Sequence, residues 1–301
     1  MHYAQLLFPD FSLIVVGYLI CRFTLLGRTM WEQVESLVYY VLFPVLLFYA
    51  ISRSPLDWSA ASGLVGAALV LAACGVLLSY AVAWIPGVAR EDFASGAQVG
   101  FRFNSYISLA LAERLAGAPG LMLIAVLIGV CVPLFNIAAV WPMARQNGQG
   151  FLLALLKNPL IIGTVSGLVA NLLGFTVPAI AESAVARVGQ ASLALGLMAA
   201  GAGLQLAQVF STKSRLRAGL ALLSIKHLAL PLIAATLVQA FGLNATQASV
   251  LLAFSALPTA SSCYVLASRM GYDGAFVAGL VTLSTLCGML SLPFALSFIP
   301  K

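Results

Sequence analysis

The chain has 301 residues, 62% hydrophobic and only 8% charged, with a mean hydropathy of +1.04 and a net charge of +6. Soluble domains carry charge on about a quarter of their residues, so this composition excludes a water-soluble globular protein and calls for a bilayer as solvent. The basic excess gathers between apolar segments rather than in a patch, which gives nucleic-acid binding no support.

A membrane-spanning helix needs about 20 mostly apolar residues. Such stretches lie near 7–26, 34–52, 60–85, 93–112, 121–143, 159–174, 188–206, 218–240, 246–267 and 275–298, each bounded by charges or Pro/Gly clusters. No stretch alternates apolar and polar residues with period two, so the expected class is an all-α integral membrane protein of ten spans rather than a β-barrel. The first stretch lacks a basic leader and a small-x-small cleavage site and reads as a retained span. The seventh is the weakest, with Arg187 and Gln190 in its first turns. The five cysteines, 21, 74, 131, 263 and 287, have no metal-ligand spacing and read as small buried hydrophobes.

With the N-terminus outside, Arg22, Arg28, Arg90, Arg145, Lys157, Lys213, Arg215, Arg217 and Arg269 fall in inner loops. Arg53, Arg114, Arg187 and Lys301 then fall outside. The positive-inside bias therefore places both termini outside the inner membrane of a bacterium.

Two basic residues lie inside spans. Arg102, in the stretch VGFRFNSYISLALAERLAG (99–117), sits ten residues after Asp92 and eleven before Glu113. At helical rise each polar edge is roughly 15 Å away, too far for easy snorkelling. Lys226 lies eight residues into the eighth span, about 12 Å from Arg217. Ionisable residues at such depth mark function by default. Its neighbour His227 points about 100° away around the helix and is expected to bond a backbone carbonyl. Pro133 and Pro231 read as packing kinks, and GLMAAGAGL (196–204) as close helix packing, a possible dimer surface.

Sliding the chain on itself by about 155 residues pairs AERLAGAPG (112–120) with ASRMGYDG (267–274) and carries spans 1–5 onto spans 6–10. Five spans per copy invert the second copy, the pattern of secondary transporters that bind substrate at the midplane. The same shift sets Phe103, beside Arg102, on Pro258. Proline at that depth removes a backbone donor, and Ser255, Thr259, Ser261 and Ser262 surround it, as Asn104 and Ser105 follow Phe103. Both spans are expected to break there, with half-helices starting near Asn104 and Thr259.

The stretches FRFNSYISLALAERLAG and ALPTASSCYVLASRMGYD resemble the paired crossover motifs of the auxin efflux carrier family, which includes bacterial permeases and the plant PIN-formed carriers. IKHLALPL (225–232) and VPLFNIAAVWP (132–142) resemble bacterial members. The resemblance implies two inverted five-helix repeats, 1–144 and 158–301, with crossing helices 4 and 9 and a fold like that of sodium/proton antiporters and bile acid symporters. It implies scaffold helices at about 7–52 and 159–206, transport helices at about 60–143 and 218–298, and a homodimer. The implied activity is elevator transport of a small organic anion, commonly a carboxylate, with no cofactor and no metal. Asn104 matches the crossover asparagine, Pro258 the second crossover proline, and Asn136 a substrate-facing position in span 5. Two features depart from the plant carriers: Phe103 replaces a proline, and residues 60–85 hold no acidic residue for proton coupling.

The expected substrate site is therefore Arg102, Asn104, Ser105, Asn136, Pro258, Thr259, Ser261 and Ser262, with Lys226 as a charge or coupling residue. No HExxH or GxSxG pattern appears, and the carboxylates lie in loops or near span ends, so an enzyme is not expected. A channel or receptor using the same anion site is the alternative; counterflow, in which preloaded substrate accelerates uptake, occurs only through a carrier. The topology predicts that, in a cysteine-free background, Lys301→Cys reacts with an impermeant thiol reagent from outside and Gln149→Cys does not; the reverse pattern refutes it.

Overall fold

The computed structural model describes residues 2–53, 58–146, 159–202 and 211–299. Most of the 144–158 loop, the end of the seventh expected span, Gln149 and Lys301 lie outside the described residues. Helix α1 is His2–Phe23. Helix α2 (Arg28–Leu37) runs through a π-helical turn at Val38–Leu42 into α3 (Phe43–Ser52), and α4 is Trp58–Ala81. A short α5 (Arg90–Gly96) precedes α6 (Ser105–Gln146); α7 is Pro159–Leu172 and α8 is Ala179–Ala202. Then α9 (Lys213–Ser224) passes through a second π turn at Ile225–Ala229 into α10 (Leu230–Ala240). The chain closes with α11 (Ala245–Ala256), α12 (Ser262–Arg269) and α13 (Gly274–Leu296). Four helices among the described residues are long and apolar enough to cross a membrane: Ser62–Trp84, Val126–Ala144, Lys213–Ala240 and Gly274–Leu296.

Proline explains both π turns. Pro44 and Pro231 follow them closely, and a proline ring collides with the carbonyl four residues earlier. Widening the helix at Val38–Leu42 and at Ile225–Ala229 relieves that collision without a sharp kink. Pro231 thus does more than kink its span, because it widens the turn that carries Lys226 and His227.

Helix α6 is continuous only in part. Ala116 (φ −141°) and Gly117 (φ 60°, ψ −150°) leave helical geometry, in the place where the sequence puts a loop between spans 4 and 5. Gly117 and Gly271, which the repeat alignment pairs, both have positive φ, 60° and 81°. An L side chain adopts that conformation only under strain.

Loops expected on one side of the membrane gather at one end of the molecule. Arg215 bridges Asp92 at 3.2 Å and Asp273 at 2.7 Å, and Ser214 donates to Asp92. Arg217 donates to the Pro86 carbonyl, and Tyr272 to that of Met143. At the other end Arg53 pairs with Glu182 at 2.9 Å. These ties fix the starts of α5, α9 and α13, which then enter the interior in defined register.

Helix α1 packs along α8, and α3 along α7. The described part of the small-residue run, 196–202, is consumed in this packing: Gly17 of α1 lies against the Met198 backbone, and Gly196 against the Phe43 ring. The core centres on α11, the break after it and α12, where residues 248–259 and 261–267 are all buried. Helix α13 reaches this centre because Gly288 lets the Pro258 ring in; a Cβ at Gly288 would lie 2.7 Å from Pro258 Cγ. Gly288→Ala is therefore expected to cost about 1–3 kcal/mol by overpacking, read as a lower unfolding temperature in detergent. An unchanged unfolding temperature would mean that the α13–Pro258 contact is loose.

Candidate functional site

Two interrupted helices meet at the centre. In the first, α5 tightens into a 3₁₀ turn at Ala97–Gly100, leaves helical geometry at Phe101 (φ −125°, ψ −28°), and restarts at Ser105. Asn104 caps the restart, its Oδ1 accepting from the Ile107 amide at 3.3 Å. In the second, α11 starts from an Asn244–Gln247 capping box and stops at Ala256; Leu257 turns extended (ψ 139°), as a residue before proline does. Helix α12 restarts at Ser262.

The first break is complete although Phe103, not proline, stands at the position that the repeat pairs with Pro258. The Phe103 ring is held edge-on against Phe254 at 4.6 Å and against Phe135 at 6.0 Å. The second half-helix begins three residues later than the sequence suggests. Thr259 starts no helix, because its polar groups are spent sideways. Its hydroxyl donates to the Val99 carbonyl at 2.9 Å and its amide to Ser284 Oγ at 2.9 Å. Ser261 stands before α12, but its hydroxyl caps nothing there. Half-buried Ser105 opens α6. The breaks are stitched together by the Asn104 amide, which donates to the Pro258 carbonyl at 2.8 Å. Pro258 thus contributes an acceptor, and its missing donor falls where no helix needs one.

Arg102 lies across this junction. It is 6% exposed. Nη1 donates to Gln98 Oε1 at 2.9 Å, and Nη2 to Ser262 Oγ at 2.8 Å and Asn136 Oδ1 at 3.2 Å. Gln98 Nε2 in turn donates to the Cys263 carbonyl at 2.9 Å. The guanidinium joins the first break, the later part of α6 at Asn136 and the start of α12, and every partner is neutral. Its side chain diverges from that of Asn104, which turns into its own helix.

Lys226, 1% exposed, lies on the π turn. With Ser255 it lines a small pocket whose walls include Phe101, Phe135 and Phe254. Cys263 stands beside both Arg102 and Lys226. No carboxylate among the described residues pairs with either cation.

His227 bonds two hydroxyls of α13 rather than a backbone carbonyl. Nδ1 meets Ser291 Oγ and Nε2 meets Ser284 Oγ, both at 2.8 Å. Ser291 donates onward to the Ala256 carbonyl at 3.3 Å, so its oxygen accepts from Nδ1–H of the neutral ring. Nε2 is then the bare nitrogen and accepts from Ser284. His227, Ser284 and Thr259 form a line of polar contacts from α9–α10 through α13 to the second break.

The sequence reading missed Gln98, Ser284 and Ser291. Gln98 carried a signal, since it is a lone amide one helical turn before Arg102. The serines carried none: single hydroxyls occur throughout apolar helices and only the packing selects these two. Among the described residues, no group of His, Cys, Asp and Glu side chains is placed to hold a metal ion.

A family model described as membrane transport protein matches residues 90–296, which spans both breaks and all the residues above. No match was found among curated proteins. Thr259→Val removes the hydroxyl that ties the two breaks and leaves the Val99 carbonyl without that partner. The expected cost is about 1–3 kcal/mol, seen as a lower unfolding temperature that Thr259→Ser largely restores. Equal stability of the valine and serine variants would deny the bond a structural role.

Proposed function

The chain belongs to the membrane transport protein family, of the auxin efflux carrier type, and from that premise we propose that it is a secondary transporter of a small organic anion. The anion is a carboxylate, crossing the cytoplasmic membrane of a bacterium. One observation carries this reading: the Arg102 cation is buried where the two broken helices meet and is held by neutral partners only, with the Lys226 amine buried nearby. Burying an uncompensated ion costs several kcal/mol. A negatively charged substrate that enters the crossing recovers part of that cost, and a neutral or cationic one does not.

The breaks strengthen the preference. The starts of α6 and α12 each bring about half a positive charge and several backbone donors. Asn104 shapes the first start, and Asn136 and Ser262 orient Arg102. Thr259, Pro258 and Ser261 form the backbone between the starts, and Ser105 opens the first half-helix. Lys226 supplies a buried amine from the pocket side. The pairings of α1 with α8 and α3 with α7 support a scaffold set apart from the crossing helices. In this reading the crossing body moves against that scaffold as an elevator, and two copies meet through their scaffolds.

The test begins with thermal-shift screening of purified protein against small carboxylates and continues with counterflow in liposomes. Expected is stabilisation by at least one carboxylate and accelerated uptake into preloaded vesicles. Arg102→Gln is expected to weaken that binding about tenfold or more, with Arg102→Lys between it and wild type, because charge dominates fork geometry here. Arg102→Gln that binds and transports like wild type would reduce the arginine to a structural tie. Leak without counterflow would favour a channel.

A further inference from the structure

A second polar cluster lies away from the crossing, where α2 meets α12. Glu35 is counted by sequence among carboxylates near span ends, yet it is only 4% exposed. Residues 28, 31, 32 and 35 share one face of α2. Arg28 Nη2 approaches Glu35 Oε1 to 3.1 Å, and Arg28 Nε lies 3.6 Å from Glu32. From α12, the Tyr264 phenol comes up to the Glu35 carboxylate; Tyr264 is 0% exposed.

Four buried polar atoms of this cluster lack a well-formed hydrogen bond: Arg28 Nη1, Trp31 Nε1, Glu35 Oε1 and Tyr264 Oη. The Arg28–Glu35 contact is thus an ion pair by distance but poorly aimed. Buried polar groups are normally satisfied, and a cluster of exceptions calls for an explanation. Here the exceptions straddle the contact between the expected scaffold and the second crossover half-helix.

We infer that Glu35 is a proton-binding latch: its ionised carboxylate holds α12 against α2, and one proton added to that carboxylate releases it. The ionised form attracts Arg28 and the positive end of the Tyr264 hydroxyl dipole that faces it. Uptake of one H⁺ converts the carboxylate to the neutral acid, so both attractions weaken. Arg28 can tolerate the loss because its side chain is 40% exposed and reaches water. The other ionisable groups facing Glu35 are Glu32 on its own helix and Arg269 at the end of α12. Arg269 donates to the Glu32 carbonyl and covers the Tyr40 ring. Helix α8, also packed on α2, adds no charge there; of its ionisable residues, Glu182 pairs with Arg53 at the other end of the molecule and Arg187 is exposed.

The latch rests on the transport reading for its purpose, but its test needs no substrate and no transport. Trp31 is a reporter inside the cluster. In a variant with Trp58, Trp84 and Trp141 replaced by Phe, its emission is expected to shift with pH as a single-proton titration, and Glu35→Gln abolishes that shift. Amide exchange over residues 262–269, corrected for its intrinsic pH dependence, is expected to be about tenfold faster or more in the protonated form. Glu35→Gln shows the fast exchange at every pH. Tyr264→Phe keeps the Trp31 titration and loses the pH dependence of exchange. The proposal fails if the Trp31 titration survives Glu35→Gln. It fails equally if exchange at 262–269 is the same on both sides of the wild-type titration. Absence of carboxylate counterflow would sink the transport reading and leave these two measurements as they stand.

Discussion

A helix interrupted inside a bilayer exposes amides and carbonyls that lipid cannot satisfy, and here the two interruptions satisfy each other. The Asn104 amide meets the Pro258 carbonyl, and the Thr259 hydroxyl meets the Val99 carbonyl. Each break is tolerable only while the other lies against it. That mutual dependence explains why the residues around the breaks are buried, and why α13 carries Gly288 where Pro258 must fit. It also sets the backbone of both restarting helices to face the crossing.

Charge follows from this geometry. A guanidinium can span three acceptors at once, and Arg102 uses that reach to join both breaks to α6 through Gln98, Asn136 and Ser262. None of these acceptors is ionised, so the cation is held but not neutralised. Lys226 adds a buried amine from the widened turn before Pro231. The same guanidinium that ties the breaks together therefore leaves a positive charge at their junction, and in the proposed function structural tie and anion attraction become two properties of one arginine. His227, whose contacts run through Ser284 to Thr259, fixes how α13 faces that charge.

What the sequence disclosed was whatever leaves a trace in composition or spacing. Arg102 stood out because a permanent cation inside an apolar run is costly. Pro258 and Asn104 stood out because one lacks a donor and the other caps helices, and the 155-residue shift put their neighbourhoods in register. The start of α12 was misplaced, at Thr259 instead of Ser262, because the hydroxyls that cap helices also bond sideways and sequence does not say which. His227 was assigned a backbone carbonyl for the same reason: its serine partners lie 57 and 64 residues away. Glu35 looked like a residue near a span end, since sequence position reports distance along the chain and not the Tyr264 side chain packed over it.

The central claim is that the crossing of the broken helices is an anion site. The most direct measurement is anomalous diffraction from crystals of the protein grown with a brominated carboxylate such as 4-bromobutyrate. The account predicts a bromine peak at the crossing, with the carboxylate directed towards Arg102 and the starts of α6 and α12. Bromine found only at surface positions, with the crossing unoccupied at saturating ligand, would contradict it.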